Sequence, residues 1–364
     1  MKNFPRLAGR LLALLVVLAG LGLSSCKKDD TTTVLGDWTQ NSTYSGIARS
    51  GAVSFVIDGI AYTGTGLVNN TNARRKDFYS FNPATRSWTM VSPMPLNAAA
   101  RNNAVAFVAG GKGYVGTGYD GTNMLSDFWQ FDPTVNTTTG TGTSATTTVG
   151  SWKQVASFPT PNGTGRYGAV AAAVNNIGYV GCGYDGNNQN DFYQYTPATS
   201  TASDKWTALT SGFSGQKRQF GSAFVINGQM YVGFGTNNLI SNTDFWSYNP
   251  AGNGTWTQLH DLANISNSTG TYDNSLLQRA YASTFTIGSL GYVAVGSLNG
   301  AVRTDCYSYD PTLDTWTKMS PFLGAGRTSA VAFGIGNFGY VGTGNSGSTP
   351  FDDFWKFDPT LAQE

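Results

Sequence analysis

The chain has 364 residues, a net charge of +1 and only 12% charged residues. A charge this close to neutral gives no broad electrostatic basis for binding nucleic acid or an acidic membrane surface. The abundance of glycine, together with 13% aromatic residues, favours many short strands joined by tight turns over helices.

The N-terminal segment has the pattern of an export signal. Basic residues precede an apolar run, Leu11 to Leu23, that is too short to span a bilayer comfortably. The run leads into "LSSC", which ends at Cys26. This resembles the lipobox of bacterial lipoproteins, whose cysteine becomes the lipidated N-terminus; an ordinary cleaved signal peptide is the alternative. We expect a signal peptide over residues 1–25, and a lipidated Cys26 that begins a flexible tether over residues 26–35.

The residues after Cys26 bear on the destination of the protein. The tether starts with lysine rather than aspartate, which resembles the sorting pattern of outer-membrane lipoproteins. "CKKDD" also resembles lipoproteins of Bacteroidota, where charged residues at this point can direct export to the cell surface. The resemblance implies a cell-envelope, outer-membrane lipoprotein, and leaves open whether it faces the periplasm or the cell exterior.

The rest of the sequence repeats. Six segments such as "RNNAVAFVAGGKGYVGTG" begin on an arginine, at intervals of 48 to 65 residues. Each is followed by an aromatic run that opens on aspartate, such as "DFWQFDP", and the first five runs lead to a tryptophan. Apolar runs, Gly-containing turns and aromatic runs in this order predict four strands per unit.

Four-stranded units of about 50 residues are typical of kelch propellers. Over residues 36–364 the sequence resembles kelch-repeat and galactose oxidase-like proteins, although Gly-x-Gly stands where kelch repeats usually have Gly-Gly. The resemblance implies an all-β fold, a six-bladed kelch-type β-propeller. A Thr-rich run over residues 134–150 predicts a loop on one face of it.

The sixth aromatic run is not followed by a tryptophan in this sequence. "GDWTQ", which contains Trp38, lies just upstream of the first unit. Because an unpaired blade edge is a liability, we predict that the strand around Trp38 completes the last blade and closes the ring. The tryptophans predicted to pack between blades are Trp38, Trp88, Trp152, Trp206, Trp256 and Trp316.

The arginines that begin the six units are candidate ligand-binding residues. They are Arg49, Arg101, Arg166, Arg218, Arg279 and Arg327. Strand alternation places them at one face, here called the top, together with the aspartates that open the aromatic runs. Arginines at this point of the repeat line the pocket of kelch domains that bind acidic peptides, and guanidinium groups bind carboxylates well. Structural pairing between these arginines and the aspartates is the alternative.

Other candidates lie in loops of the top face. Asp120 and Asp185 each stand in a "GYDG" sequence, for which tight-turn chemistry is the alternative. His260 and Asp273 belong to a long top loop, and loops on a rigid scaffold often carry binding residues. Cys182 and Cys306 lack metal-ligand spacing, and we predict no metal site and no cofactor.

These observations predict a monomeric, membrane-anchored protein whose top face, the face away from the membrane, binds a protein or carbohydrate partner, and not nucleic acid. The alternative is an enzyme similar to kelch-type sialic acid mutarotases, or another carbohydrate-active kelch enzyme. Copper-radical chemistry of the galactose oxidase type needs two histidines, and the chain has only His260. Acid–base catalysis would depend on aspartate or on His260, since Glu364 is the only glutamate. Whether the protein catalyses any reaction stays open.

Overall fold

The computed structural model describes residues 34–140, 144–263, 265–267, 270–272 and 277–363. The predicted signal peptide, Cys26 and nearly all of the predicted tether lie outside the described residues, as does Asp273. In the described part of the chain, no helix is long and apolar enough to cross a membrane.

Six four-stranded antiparallel sheets form the blades of a β-propeller in the part of the chain that the structure describes. Blade 1 comprises Val53–Ile57, Ile60–Gly64, Phe78–Asn82 and Ser87–Val91. Blade 2 comprises Val105–Ala109, Lys112–Gly116, Phe128–Asp132 and Ser151–Val155. Blade 3 comprises Val170–Val174, Ile177–Gly181, Phe192–Thr196 and Lys205–Ala208. Blade 4 comprises Ser222–Ile226, Gln229–Gly233, Trp246–Asn249 and Thr255–Gln258. Blade 5 comprises Ser283–Ile287, Leu290–Ala294, Cys306–Asp310 and Thr315–Met319. Blade 6 comprises Val331–Ile335, Phe338–Gly342, Asp353–Ala362 and Leu35–Thr43.

The strand order confirms the predicted all-β, six-bladed propeller and its closure. Leu35–Thr43 pairs antiparallel with Asp353–Ala362, so that the N-terminal strand is the outermost strand of blade 6. Trp38 stands opposite Phe357, is 1% exposed, and donates its indole N–H to the Ser320 carbonyl of blade 5 at 3.2 Å. Closure therefore joins the two ends of the described chain within one sheet.

Short hairpins project from the blades. Four lie at the top, between the second and third strands: Leu67–Val68 with Ala73–Arg74, Thr236–Asn237 with Ile240–Ser241, Ser297–Leu298 with Ala301–Val302, and Asn345–Ser346 with Thr349–Pro350. Two further pairs are Thr137–Thr139 with Thr146–Thr148 and Ile265–Asn267 with Gly270–Tyr272. The threonine-rich run predicted as a loop thus contains a two-stranded ribbon. Threonine is β-branched, and β-branched residues favour strands.

The tryptophans of the outer strands pack against the preceding blade. Ring-centroid distances are 4.6 Å for Trp88–Phe354, 4.8 Å for Trp152–Phe78, 4.9 Å for Trp206–Phe128, 4.9 Å for Trp256–Phe192 and 5.5 Å for Trp316–Phe245. Each of these phenylalanines lies within one residue of the start of a third strand. Each also lies over a glycine at the end of the neighbouring second strand. A Cβ on that glycine would come within 2.1 to 2.7 Å of the ring. Glycine is needed here for close approach.

Blade 5 has neither the phenylalanine of the third strand nor the glycine of the second strand. Cys306 replaces the phenylalanine, and the residue paired with it is Ala294 instead of glycine. Both side chains are fully buried, in one cluster with Trp38. The added methyl group of Ala294 occupies space that a phenylalanine ring would need, so the two exchanges compensate for each other in volume.

Candidate functional site

The backbone at the top of the central channel forms a closed ring. Two residues after each of the six repeat arginines, one residue adopts a left-handed conformation with φ between 53° and 61°. We call these six residues the mouth ring: Gly51, Asn103, Gly168, Phe220, Tyr281 and Ser329. Each donates its amide N–H to the carbonyl of its counterpart in the preceding blade, at 2.8 to 3.2 Å. The six hydrogen bonds run unbroken around the channel.

The mouth ring holds bulky residues in a conformation that they rarely adopt. Phe220 and Tyr281 have φ of 54° and 56°, and such backbone strain costs about 1–3 kcal/mol per non-glycine residue. Their rings stack on each other with centroids 4.1 Å apart. The glycines of the ring accommodate neighbours, because a Cβ on Gly168 would lie 2.9 Å from the ring of Phe220. The hydrogen-bonded left-handed backbone places these two aromatic rings at the entrance of the channel.

A cavity of about 630 Å³ opens above this stack. Five aromatic rings line it: Tyr119, Tyr167, Tyr184, Phe220 and Tyr281. The remaining lining residues are Asn103, Thr122, Met124 and Gln219. We call this cavity, defined by these nine residues, the aromatic pocket.

Neighbouring blades bring the rings together. Tyr167 and Tyr184 exchange backbone hydrogen bonds of 3.1 and 2.9 Å, which join the start of blade 3 to its top loop. The Tyr167 ring lies 5.5 Å from Tyr184, 5.7 Å from Tyr119 of blade 2 and 5.8 Å from Phe220 of blade 4. Tyr167 is therefore the centre of the aromatic wall, which extends from blade 2 to blade 5.

The aromatic pocket is uncharged. None of its nine lining residues is acidic, basic or a histidine. Burial raises the pKa of Tyr281 to about 12, with Tyr167 adding to the effect. Burial also raises the pKa of Tyr167, together with its neighbours Tyr184 and Tyr119. These two hydroxyl groups stay protonated at neutral pH and can donate hydrogen bonds to a ligand.

The six repeat arginines do not line the aromatic pocket. Each is 0% or 1% exposed and forms an ion pair with the aspartate that opens its third strand. The pairs, with N–O distances of 2.6 to 2.9 Å, are Arg49–Asp77, Arg101–Asp127, Arg166–Asp191, Arg218–Asp244, Arg279–Asp305 and Arg327–Asp353. We call them the arginine–aspartate layer. Ligand contact would require exposed guanidinium groups, so the geometry favours structural pairing.

The arginine–aspartate layer ties each blade together and to its neighbour. The Arg49 guanidinium also donates to the Thr65 carbonyl at the end of the second strand, at 2.9 Å. In each of the six blades a glycine amide donates to the arginine carbonyl of the next blade, at 2.7 to 2.8 Å. Burial by itself raises the pKa of Asp77, but hydrogen bonds from Arg49 outweigh it and hold the pKa below its usual value.

The other predicted candidates serve local structure in this geometry. Asp120 accepts hydrogen bonds from the amides of Thr122 and Asn123 at 2.7 and 2.6 Å, as in a tight turn. Asp185 accepts bonds from the Asn162 and Gln189 side chains at 2.9 and 2.8 Å.

His260 does not line the aromatic pocket. Its Nδ1 lies 2.8 Å from a carboxylate oxygen of Asp314, in the turn between the third and fourth strands of blade 5. Among the described residues, no group of three or more His, Cys, Asp or Glu side chains is arranged to hold a metal ion.

Reasoning from the sequence alone missed the aromatic pocket. The signal that indicates it is variation inside the repeat. The two residues after each arginine read SG, NN, YG, QF, AY and TS, whereas the arginine itself never changes. Where the side chain varies within an otherwise regular repeat, the shared scaffold does not require a particular side chain. Here the varying positions lie at the channel mouth.

Comparisons with known proteins bear on the fold alone. No family model matches the chain, and no curated protein matches it. Among solved structures, the chain is similar to one described as "Structure of YjhT", with a TM-score of 0.65 and 14% sequence identity. The match covers 85% of this chain and 95% of that chain. At this identity the likeness shows a shared propeller fold.

Proposed function

We propose that this protein is a lipid-anchored, kelch-type propeller of the cell envelope that binds a carbohydrate in the aromatic pocket. The observation that carries the proposal is the uncharged wall of five aromatic rings around a cavity of about 630 Å³. Pyranose rings expose polarised C–H bonds on their faces, and these fit the negative faces of aromatic rings. Hydroxyl and amide groups at the edges can then bond the sugar hydroxyls.

The size of the pocket favours a carbohydrate over a protein partner. Concave sites for small ligands measure about 300–1,000 Å³, and the cavity lies within that range. A stable protein interface buries about 800 Å² on each partner, which is much more than a single depression of this kind offers. A protein partner would have to contact the surrounding top loops as well.

A sialic acid mutarotase-like activity is supported less well. Proton transfer to and from a sugar works best with a group whose pKa lies near the operating pH. The titratable groups that line the aromatic pocket are tyrosines, and burial raises the pKa of Tyr167 and Tyr281 further. The arginines that would suit an acidic sugar are buried in ion pairs. These observations support binding without turnover.

A glycan array probed with the purified full-length protein tests this proposal. We expect Tyr167→Ala to lose binding at least tenfold, because it removes the central ring of the wall, while the thermal midpoint changes by only a few degrees. Leu313→Ala is a suitable control, since Leu313 is 67% exposed in the turn between the third and fourth strands of blade 5. Binding that survives Tyr167→Ala, or conversion of a bound sugar, would contradict the proposal.

The cellular part of the proposal rests on the lipobox at Cys26 and on the place where the described chain begins. Leu35 pairs with Ala362, at the end of blade 6 away from Asp353 and the top loops. We propose that the tether leaves the propeller from this end and that the aromatic pocket faces away from the membrane. Two or more acyl chains make anchoring stable, so Cys26→Ala should move the protein from the membrane fraction to the soluble fraction. Retention after a salt wash would contradict lipidation.

A further inference from the structure

The top hairpin of blade 4 presents two aliphatic side chains to solvent. Leu239 is 87% exposed and Ile240 is 74% exposed. Leu239 is the second residue of the two-residue turn that joins Thr236–Asn237 to Ile240–Ser241. Side chains this exposed add almost no hydrophobic stabilisation to the fold, because that stabilisation grows with the apolar area removed from water.

The backbone of this turn makes leucine an unfavourable choice. Asn238 and Leu239 both adopt left-handed conformations, with φ of 50° and 69°. Two-residue hairpin turns of this kind favour glycine, because a Cβ is strained there. The top hairpin of blade 5 has the same turn, with φ of 51° and 81°, and carries Gly300 and Ala301 where blade 4 carries Leu239 and Ile240. Blade 4 thus has a large apolar side chain where the backbone favours glycine.

The hairpin that carries this turn is held on both sides. Thr236 exchanges backbone hydrogen bonds of 3.0 and 2.9 Å with Gln219 at the start of blade 4. The Asn237 side-chain oxygen accepts a hydrogen bond from the Asn188 side chain of blade 3 at 2.9 Å. Because this backbone is already ordered, little conformational entropy would be lost when the tip binds a ligand.

The same hydrogen bonds join the hairpin to the aromatic pocket. Gln219, the backbone partner of Thr236, lines the pocket. Three residue steps lead from Thr236 to Leu239, and at about 3.3 Å per step they span at most about 10 Å. A group attached to a sugar in the pocket can therefore reach the tip of the hairpin.

We propose that the ligand of this protein is a glycolipid, whose sugar occupies the aromatic pocket and whose alkyl chain packs on Leu239 and Ile240. This inference rests on the proposed function and specifies what the sugar is attached to. Both tip side chains are purely aliphatic, and they offer neither a charge nor a hydrogen-bonding group. A hydrocarbon chain suits such a surface better than a peptide or a second sugar, whose polar groups would lose hydration there.

Alkyl glycosides test this inference. Isothermal titration of the full-length protein would compare the methyl and octyl glycosides of glucose, galactose and mannose, below the concentration at which the octyl glycosides form micelles. The members of each pair share the sugar and differ only in the alkyl group. For at least one sugar we expect the octyl glycoside to bind about tenfold or more tightly. Burial of about 60 Å² of the chain gives this ratio at about 25 cal/mol per Å².

Variants of the tip identify the contact. The double variant Leu239→Gly, Ile240→Ala gives blade 4 the turn residues of blade 5, and it should reduce the octyl preference to within about twofold. Its affinity for methyl glycosides should not change, because neither residue lines the aromatic pocket. Leu96→Ala is the matched control, since Leu96 is 97% exposed in the loop between blades 1 and 2, and it should keep the full preference.

The possible outcomes lead to different conclusions. Equal affinity of the wild-type protein for both members of every pair that binds would overturn the glycolipid inference and leave carbohydrate binding intact. An octyl preference that persists in the double variant, or that Leu96→Ala also removes, would overturn the role of the tip. Failure to bind any member of the panel, together with a glycan array without hits, would overturn both the inference and the proposed function.

Discussion

The arginine–aspartate layer and the aromatic pocket draw on neighbouring residues of the sequence, but only the layer recurs unchanged in all six blades. Arg218, Gln219 and Phe220 are consecutive. The first is buried in an ion pair that recurs in all six blades, and the other two face a cavity that draws its rings from blades 2 to 5. Three consecutive residues thus comprise one structural residue that is the same in every blade, followed by two residues whose identity differs from blade to blade. The comparison teaches that the side chains that are identical in all six blades build the scaffold, and that the side chains that differ between blades line the candidate site.

The largest effect is expected from removing the strand that closes the ring. A protein that begins at residue 45 lacks Leu35–Thr43 and exposes the edge of blade 6. Loss of the buried Trp38 side chain alone should cost about 3–5 kcal/mol. Urea denaturation should show a loss of at least that size. A protein that begins at Val34 is the control, and similar stability of the two would contradict the role of closure.

Breaking one pair of the arginine–aspartate layer should come next. Arg218→Ala leaves the buried Asp244 carboxylate without its counter-ion, which costs about 3–5 kcal/mol for a buried pair. Adding Asp244→Asn should recover part of the loss, because an amide is easier to bury and can still accept the bond from the Trp246 indole. Chemical denaturation of the single and double variants measures this coupling. Additive losses would show that the pair is not the source of the stability.

Blade 5 allows the repeated packing to be tested in a more limited way. Cys306→Phe should cost about 1–3 kcal/mol, since the ring meets the methyl group of Ala294. Ala294→Gly in the same protein should restore the stability, because the double variant has the pair found in the other five blades. Thermal unfolding of the wild-type protein and the two variants is the measurement. A double variant no more stable than Cys306→Phe would mean that volume compensation is not the reason for the exchange.

Acid should weaken the scaffold before it affects the aromatic pocket. Burial raises the pKa of Asp127 and Asp353, but hydrogen bonds from Arg101 and Arg327 outweigh it and lower the pKa in the folded protein. A lowered pKa contributes stability that is complete above the unfolded value of about 3.9 and is lost as pH falls through the folded value. Unfolding free energies should therefore decline below about pH 4, and a decline that starts at pH 6 would point to other groups.

The smallest effect is expected at the top hairpin of blade 4. Leu239 is 87% exposed and has φ of 69°, in a two-residue turn. Leu239→Gly removes the cost of a left-handed conformation at a non-glycine residue, which is about 1–2 kcal/mol. The greater conformational freedom of glycine in the unfolded chain offsets part of this gain in stability. We expect a net gain of at most about 1 kcal/mol by urea denaturation, with sugar affinity unchanged because Leu239 does not line the pocket. A loss of affinity would extend the binding face to this hairpin.

The features that recur in every blade could be predicted from the sequence. Six arginines, six aspartates and the position of Trp38 were sufficient for the blades, the closure and the structural alternative for the arginines. It did not predict the aromatic pocket, because Tyr119, Tyr167 and Tyr281 occupy different places in their units and meet only when the ring closes. The left-handed backbone of Phe220 was also unpredictable, since no propensity favours it. Hydrogen bonds from two neighbouring blades impose it.

The unbroken hydrogen-bonded circle of the mouth ring affects how the molecule opens. In a linear array of repeats the end units have one neighbour, and they fray first. Here each described blade has a neighbour on both sides, and lifting one blade out breaks two bonds of the circle at once. We expect the amides of Asn103 and Tyr281 to exchange hydrogen for deuterium only when the whole propeller unfolds. The entrance to the proposed site would then be as long-lived as the fold itself.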